Sequence, residues 1–130
     1  MAEAAIKKKR PKNLKLSSIR LPLPGILSIL HRISGATLFL LLPVFLALFE
    51  RSLSSAEQFA QLKSCLDNPL LKIILLGLIW FYLHHFCAGI RYLLLDLHKG
   101  IDLPAARASS RLVFIVGILA TLLIGGKVLW

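Results

Sequence analysis

Residues 70–95, LLKIILLGLIWFYLHHFCAGIRYLLL, set the character of the whole chain. The run is long enough to cross the hydrocarbon core of a bilayer as a helix, which needs about 20 apolar residues. It nevertheless carries two adjacent histidines, His84 and His85. Ionisable side chains are unfavourable inside a membrane, so residues that occur there mark a candidate functional site.

One face of this predicted helix carries a polar stripe. His85, Gly89, Tyr92 and Asp96 follow one another at spacings of four, three and four, which places them on the same side of a helix. Gly89 has no side chain, so it leaves a dent beside His85 that a flat ligand or a close neighbouring helix can fill. The stripe ends with Asp96 at the expected water boundary.

The composition predicts a single membrane domain. The chain has 130 residues, 57% of them hydrophobic, and a mean hydropathy of +0.77. An ordinary small soluble domain is less apolar than this. The expected fold is all-α: an integral membrane protein with a domain over residues 26–130 and three transmembrane helices, at about 26–49, 70–95 and 112–130.

The net charge of +10 is explained by topology. Residues 1–25 are predicted to form a basic tail and an interfacial approach to the membrane, which Pro11, Pro22 and Pro24 prevent from being one continuous helix. Residues 21–25 are expected to be an extended or short amphipathic entry, and the spanning helix is expected to start near Ile26. The tail holds most of the excess positive charge, at Lys7, Lys8, Lys9, Arg10, Lys12, Lys15 and Arg20. No nucleic-acid partner is expected, because the positive-inside rule accounts for this excess.

The same rule predicts the orientation of the chain. The second loop, residues 96–111, is more basic than the first loop, residues 50–69, whose Ser54-Ser55-Ala56-Glu57 has the polar start of a short helix. The amino terminus is therefore expected in the cytoplasm and the carboxyl terminus in the periplasm. The first apolar run follows a long polar tail and is too long for the core of a signal peptide, so we expect it to be retained in a bacterial inner membrane.

The first span also carries polar residues at depth. Ser28, Arg32 and Gly35 share one face, and His31 lies on its flank. An arginine near the membrane centre costs at least about 2.5 kcal/mol, so Arg32 is expected to face a partner, a cofactor or a wet cavity. Snorkelling to the cytoplasmic surface is the alternative, since Arg32 lies near that end of the span.

A histidine in this setting has two interpretations. A neutral imidazole nitrogen can ligate haem iron, while nearby arginine and histidine side chains can hold the propionates. The alternative is a structural hydrogen bond to a neighbouring helix. His84 and His85 point about 100° apart, so only one of them can face a given iron. The opposite axial ligand would then have to come from elsewhere, and a second subunit is the natural source.

Several short motifs together carry a family resemblance. They are Arg10-Pro11 with Asn13-Leu14, then S-I-L-H-R-I-S-G at 28–35, and H-x-x-x-G-I-R at 85–91 followed by Asp96. A chain with these motifs at these distances closely resembles the cytochrome b large membrane-anchor subunit of bacterial succinate dehydrogenase. The resemblance extends from about Arg10 to Trp130.

The resemblance implies a role for several of these residues. By motif, His85 is the axial haem ligand and His84 an extra histidine. Ser28 and Arg32 correspond to the ubiquinone site, and His31, with Arg32, to contacts with a haem propionate.

Arg91, Tyr92 and Asp96 are secondary candidates. Tyr92 stands where many members have histidine, and a tyrosine cannot take the protonated role of that histidine. An interfacial salt bridge or snorkelling is the alternative interpretation of Arg91 and Asp96.

The function implied by the resemblance is that of a subunit of an oxidoreductase complex. With a second small anchor subunit, the chain would bind haem b, dock an iron-sulfur protein and a flavoprotein on the inner face, and contribute to ubiquinone reduction. Flavin and iron-sulfur clusters would lie in the partners, where succinate is oxidised. Two alternatives remain: a helical assembly anchor without haem, and the anchor of a related fumarate reductase.

Overall fold

A computed structural model describes residues 19–130, and every regular element in that part of the chain is a helix. In chain order the helices are α1 (Leu23–Ser54), α2 (Ala56–Cys65), α3 (Pro69–Asp96) and α4 (Leu103–Leu129). The first, third and fourth are long and apolar enough to cross a membrane, which confirms the predicted all-α fold with three spans. The cations of the predicted tail other than Arg20 lie outside the described residues.

Helix α1 begins earlier than expected. Pro22 is its N-cap, and the carbonyl of Pro22 accepts hydrogen bonds from the backbone N–H groups of Gly25 at 2.8 Å and Ile26 at 3.1 Å. Proline is well tolerated in a first helical turn, where its missing N–H would have no partner in any case. The helix therefore starts at Leu23, three residues before the start expected near Ile26, and residues 23–25 belong to it.

The short helix predicted in the first loop is present as α2. Ser55 caps it, because its hydroxyl accepts a hydrogen bond of 3.1 Å from the backbone N–H of Gln58. Glu57 lies in the first turn, where a negative charge interacts favourably with the helix dipole. The polar start of the segment thus determined where the helix begins.

Helix α4 also begins earlier than its apolar run. It starts at Leu103 with Pro104 in the first turn, so the connection from α3 is only residues 97–102. Two residues there, His98 and Gly100, have positive φ angles of 57° and 73°. Most of the predicted second loop is helical. Its residues 103–111 include alanines and arginines, which favour a helix, although the polar side chains of the segment lower its hydropathy.

Small residues allow the helices to approach one another closely. Gly117 of α4 lies against the backbone of α3, where an added Cβ would be 3.7 Å from the Cα of His84. The buried apolar cluster is correspondingly small and consists of Leu27, Ala88 and Val113. Most other large apolar side chains are exposed, as expected for helices whose outer surfaces meet lipid or another subunit.

Gly117 provides a test of this packing. Gly117→Leu should destabilise the membrane domain by about 1–3 kcal/mol, because the new side chain would meet the α3 backbone rather than a flexible side chain. Leucine at Gly126, whose Cβ would meet open space, is the matched control. Thermal unfolding of the purified membrane complex measures the effect, and equal midpoints for the two variants would contradict the helix packing described above.

Candidate functional site

His85 lies between α3 and α1 and is held there by two polar groups of α1. Its Nδ1 is 3.0 Å from the backbone carbonyl oxygen of His31 and 3.3 Å from the hydroxyl of Ser34. A carbonyl oxygen can only accept, so Nδ1 carries the proton in this arrangement. The neutral ring then has an unprotonated Nε2, which is the nitrogen that can ligate a metal.

Gly35 explains why α1 can come so close to this imidazole. A Cβ built on Gly35 would lie 2.7 Å from Cε1 of His85, too close for any side chain to be accommodated without movement. Ser28, Arg32 and Gly35 were predicted to share one face of α1. On that face, Gly35 is the residue that contacts the ring of His85. Glycine permits the close approach at this position because it has no side chain.

The ring of His31 occupies the dent predicted beside His85. The two imidazoles stack with centroids 4.2 Å apart and an interplanar angle of 7°. His31 also approaches Tyr92, with ring centroids 5.0 Å apart, and its Nε2 lies 3.8 Å from the position of a Cβ on Gly89. His85, Gly89 and Tyr92 thus share the side of α3 that faces α1, as the stripe predicted, whereas Asp96 is exposed at the end of the helix.

Ser28 and Arg32 form a polar pair on α1. Nη2 of Arg32 donates a hydrogen bond of 3.3 Å to the hydroxyl of Ser28, and the guanidinium is exposed. The pair is separate from the hydrogen bonds that hold His85, although His31 is the neighbour of Arg32 in the chain. An exposed guanidinium on a membrane-spanning helix is available to an anionic or polar ligand from outside this chain.

His84 points in a different direction from His85. It is completely buried between α3 and α4, with its ring centroid 5.0 Å from Trp80 and 5.4 Å from Phe114. Neither of its ring nitrogens has a hydrogen-bond partner within residues 19–130. An enclosed imidazole cannot reach a ligand shared with another subunit without rearrangement of the helix packing, so His85 is the better candidate for ligation.

Arg91 also faces α4 rather than the site around His85. Its Nε donates to the hydroxyl of Ser109 at 2.9 Å, and its Nη2 donates to the carbonyl oxygen of Ala106 at 3.3 Å. Tyr92 keeps its hydroxyl buried without a partner in the described part of the chain. Within residues 19–130 Arg91 makes no ion pair and does not extend to the surface; its hydrogen bonds to neutral groups link α3 to α4.

Sequence reasoning missed two serines that position these groups. Ser34 touches His85, and Ser109 accepts from Arg91. The sequence did contain a signal that Ser34 lies near the site, since Ser34 directly precedes Gly35 and lies three residues after His31. No comparable signal marked Ser109, which was assigned to a loop before α4 was known to begin at Leu103.

The donor set fits a haem better than a metal ion held by protein alone. Among residues 19–130 there is no group of three or more histidine, cysteine or acidic side chains that could hold a metal ion. His85 offers a single imidazole nitrogen, and its other nitrogen is fixed by a backbone carbonyl. A hydrogen bond of that kind is typical of histidine ligands, whose orientation it fixes.

Comparison with known proteins gives a consistent result. Residues 6–124 match the family described as succinate dehydrogenase/fumarate reductase transmembrane subunit. The succinate dehydrogenase cytochrome b556 subunit of Coxiella burnetii is 41% identical over 118 residues, which cover 90% of this chain and 94% of that protein. The chain belongs to the succinate dehydrogenase cytochrome b subunit family.

Other members of this family support the assignment. The cytochrome b556 subunit of Rickettsia felis is 31% identical over 89% of this chain and 90% of that protein. The corresponding subunit of Paracoccus denitrificans is 32% identical over 78% of each chain. The resemblance inferred from the motifs is confirmed. The three apolar helices and the bacterial relatives identify a multi-pass protein of the inner membrane.

Proposed function

We propose that this chain is the haem-bearing anchor subunit of a succinate:ubiquinone oxidoreductase, with His85 as an axial ligand of haem b. The observation that carries the proposal is the geometry of His85, whose Nδ1 donates to the carbonyl of His31 and whose Nε2 is left to bind iron. The relatives' name, cytochrome b556 subunit, supports a haem protein of this type.

Haem b, when bound, would supply a one-electron carrier in the membrane. The residues of this chain would orient it. The carbonyl of His31 and the hydroxyl of Ser34 would keep the imidazole of His85 in one tautomer and one orientation. Arg32 would provide positive charge for a propionate, and the ring of His31 would provide a hydrogen-bond donor. A second small anchor subunit would supply the other protein group that holds the haem.

Ser28 and Arg32 would contribute to the site of ubiquinone reduction. They already lie within hydrogen-bond distance on an exposed face of α1. A hydroxyl and a guanidinium can both donate to a quinone carbonyl oxygen, and the guanidinium stabilises negative charge that develops on that oxygen during reduction. The chain would not take part in the oxidation of succinate itself.

The orientation predicted by the positive-inside rule is consistent with this site. The connection between α3 and α4 and the first turns of α4 contain Lys99, Arg107 and Arg111, which favours the cytoplasm for this end of the bundle. The amino terminus would lie on the same side and the carboxyl terminus in the periplasm. An iron-sulfur subunit and a flavoprotein subunit, carrying the clusters and the flavin, would then dock on the cytoplasmic face near Ser28 and Arg32.

The experiment that tests the proposal uses the complex purified in mild detergent through a tag on this chain. We expect the flavoprotein, the iron-sulfur subunit and a second anchor subunit to co-purify. We also expect the dithionite-reduced minus oxidised spectrum to have the bands of a low-spin b-type haem, and succinate to reduce ubiquinone. A complete complex without haem bands would instead support an assembly anchor in which the polar cluster only joins helices.

A further inference from the structure

Two adjoining cavities are lined by residues of α3, of α4 and of the connection between them. The first has a volume of about 230 Å³ and a mostly apolar lining that includes Cys87, Ile90 and Val116. The second, of about 270 Å³, lies toward the connection between the helices and includes Lys99 and Gly100. The two cavities share the lining residues Arg91, Leu94 and Ser109. Together they form one groove with a mostly apolar lining. Its apolar half is the first cavity, and its basic half is the second cavity, whose lining includes the cations Arg91 and Lys99.

Arg91 lies where the two halves meet, and no carboxylate of the described residues accepts a hydrogen bond from it. Its side chain is only 6% exposed, yet the groups that accept its hydrogen bonds within residues 19–130 are the neutral hydroxyl of Ser109 and carbonyl of Ala106. A buried cation is strongly unfavourable unless an anion is nearby. The groove beside Arg91 is therefore a place where an anion would stabilise the fold.

Other groups in the basic half also favour an anion. Lys99 lines this half, and α4 begins beside it without a side-chain cap at Asp102. The first N–H groups of such a helix have no partner in the helix and carry partial positive charge. Ala105 of this first turn is part of the cavity lining, whereas the carboxylates of Asp96 and Asp102 are not.

We propose that this groove binds one anionic phospholipid of the surrounding leaflet, with its phosphate at Arg91 and Lys99 and an acyl chain along the apolar half. The depth is suitable, because Arg91 lies five residues, or roughly 7 Å, before the end of α3 at Asp96. Free phosphate would use only the basic half. The apolar half, which runs to Cys87 and Val116 at the depth of the hydrocarbon, favours a lipid as the source of the phosphate.

Native mass spectrometry of the complete complex, purified in mild detergent and supplied with phosphatidylglycerol, tests this site. Lys99→Gln removes one cation from the basic half, and Val116→Trp fills the apolar half without a change of charge. Lys127→Gln is the matched control, since Lys127 is an exposed cation at the other end of α4. Each variant is also measured with phosphatidylcholine and with inorganic phosphate alone.

We expect Lys99→Gln to lower the affinity for phosphatidylglycerol roughly fivefold, the effect of one basic residue at a membrane surface. Val116→Trp should lower it by at least as much, whereas Lys127→Gln should leave it unchanged. If the Lys99→Gln and Lys127→Gln complexes retained phosphatidylglycerol equally well, the proposal would be overturned. So would equal retention of phosphatidylcholine and phosphatidylglycerol, binding of inorganic phosphate that displaces the lipid, or an acidic segment of a partner subunit found cross-linked to Lys99.

Discussion

The His85→Leu variant should lose the low-spin b-type haem spectrum while the complex still assembles. Leucine fills a similar space but has no nitrogen for iron, and it also loses the hydrogen bonds to the carbonyl of His31 and the hydroxyl of Ser34. Reduced minus oxidised absorption spectra, recorded at equal concentrations of complex, measure the effect. We expect the low-spin bands to disappear or to change to those of a five-coordinate or otherwise ligated haem.

The neighbouring histidine is the matched control for this experiment. His84→Leu changes the same residue type one position away, but its ring is buried against Trp80 and Phe114 and lacks a hydrogen-bond partner within residues 19–130. Leucine there should keep the haem spectrum, since an apolar side chain suits that environment. An unchanged spectrum in His85→Leu together with loss in His84→Leu would transfer the axial ligand to His84 and refute the assignment made here.

The Arg32→Ala variant should lose most of its ubiquinone reductase activity. A hydrogen bond from a charged donor contributes about 1.5–3 kcal/mol, so the rate with ubiquinone should fall roughly tenfold to a hundredfold. Ser28→Ala should have a smaller effect in the same direction, because its hydroxyl is neutral. Both variants should oxidise succinate normally with a soluble artificial acceptor, which takes electrons without using the membrane site.

Arg51→Ala provides the control for Arg32. Arg51 is an exposed arginine near the other end of α1, where its Nη2 donates to the side-chain oxygen of Gln61 at 3.4 Å. Its removal should leave both activities unchanged. If Arg32→Ala lowered the rates with ubiquinone and with the artificial acceptor equally, the loss would reflect poor assembly, and Arg32 would not belong to the quinone site.

The polar site illustrates what a helical period can predict. The stripe of His85, Gly89 and Tyr92 follows from spacings of three and four residues, and these residues face α1 in the structure. The same period predicted that Ser28 and Arg32 are neighbours, and a hydrogen bond joins them. Such arrangements lie within one helix, so they do not depend on where the other helices pack.

The helix boundaries show where hydropathy alone misleads. It reports the part of a helix that contacts hydrocarbon, and both α1 and α4 continue beyond that part, to Leu23 and Leu103. At each of these ends a proline in the first turn favours the helix rather than breaking it. The polar first turns of α4 were therefore assigned to a loop although their backbone is helical.

Three membrane-spanning helices follow from the sequence alone, because a backbone in hydrocarbon must satisfy its hydrogen bonds internally and long apolar runs can do so only as helices. The sequence also determined which residues share a face. Which helix each face meets depends on the packing of the helices: His85 meets α1 at Gly35, whereas His84 and Arg91 meet α4. That choice depends on contacts between residues far apart in the chain, where glycines let two backbones approach, and the period of a single helix contains no information about them.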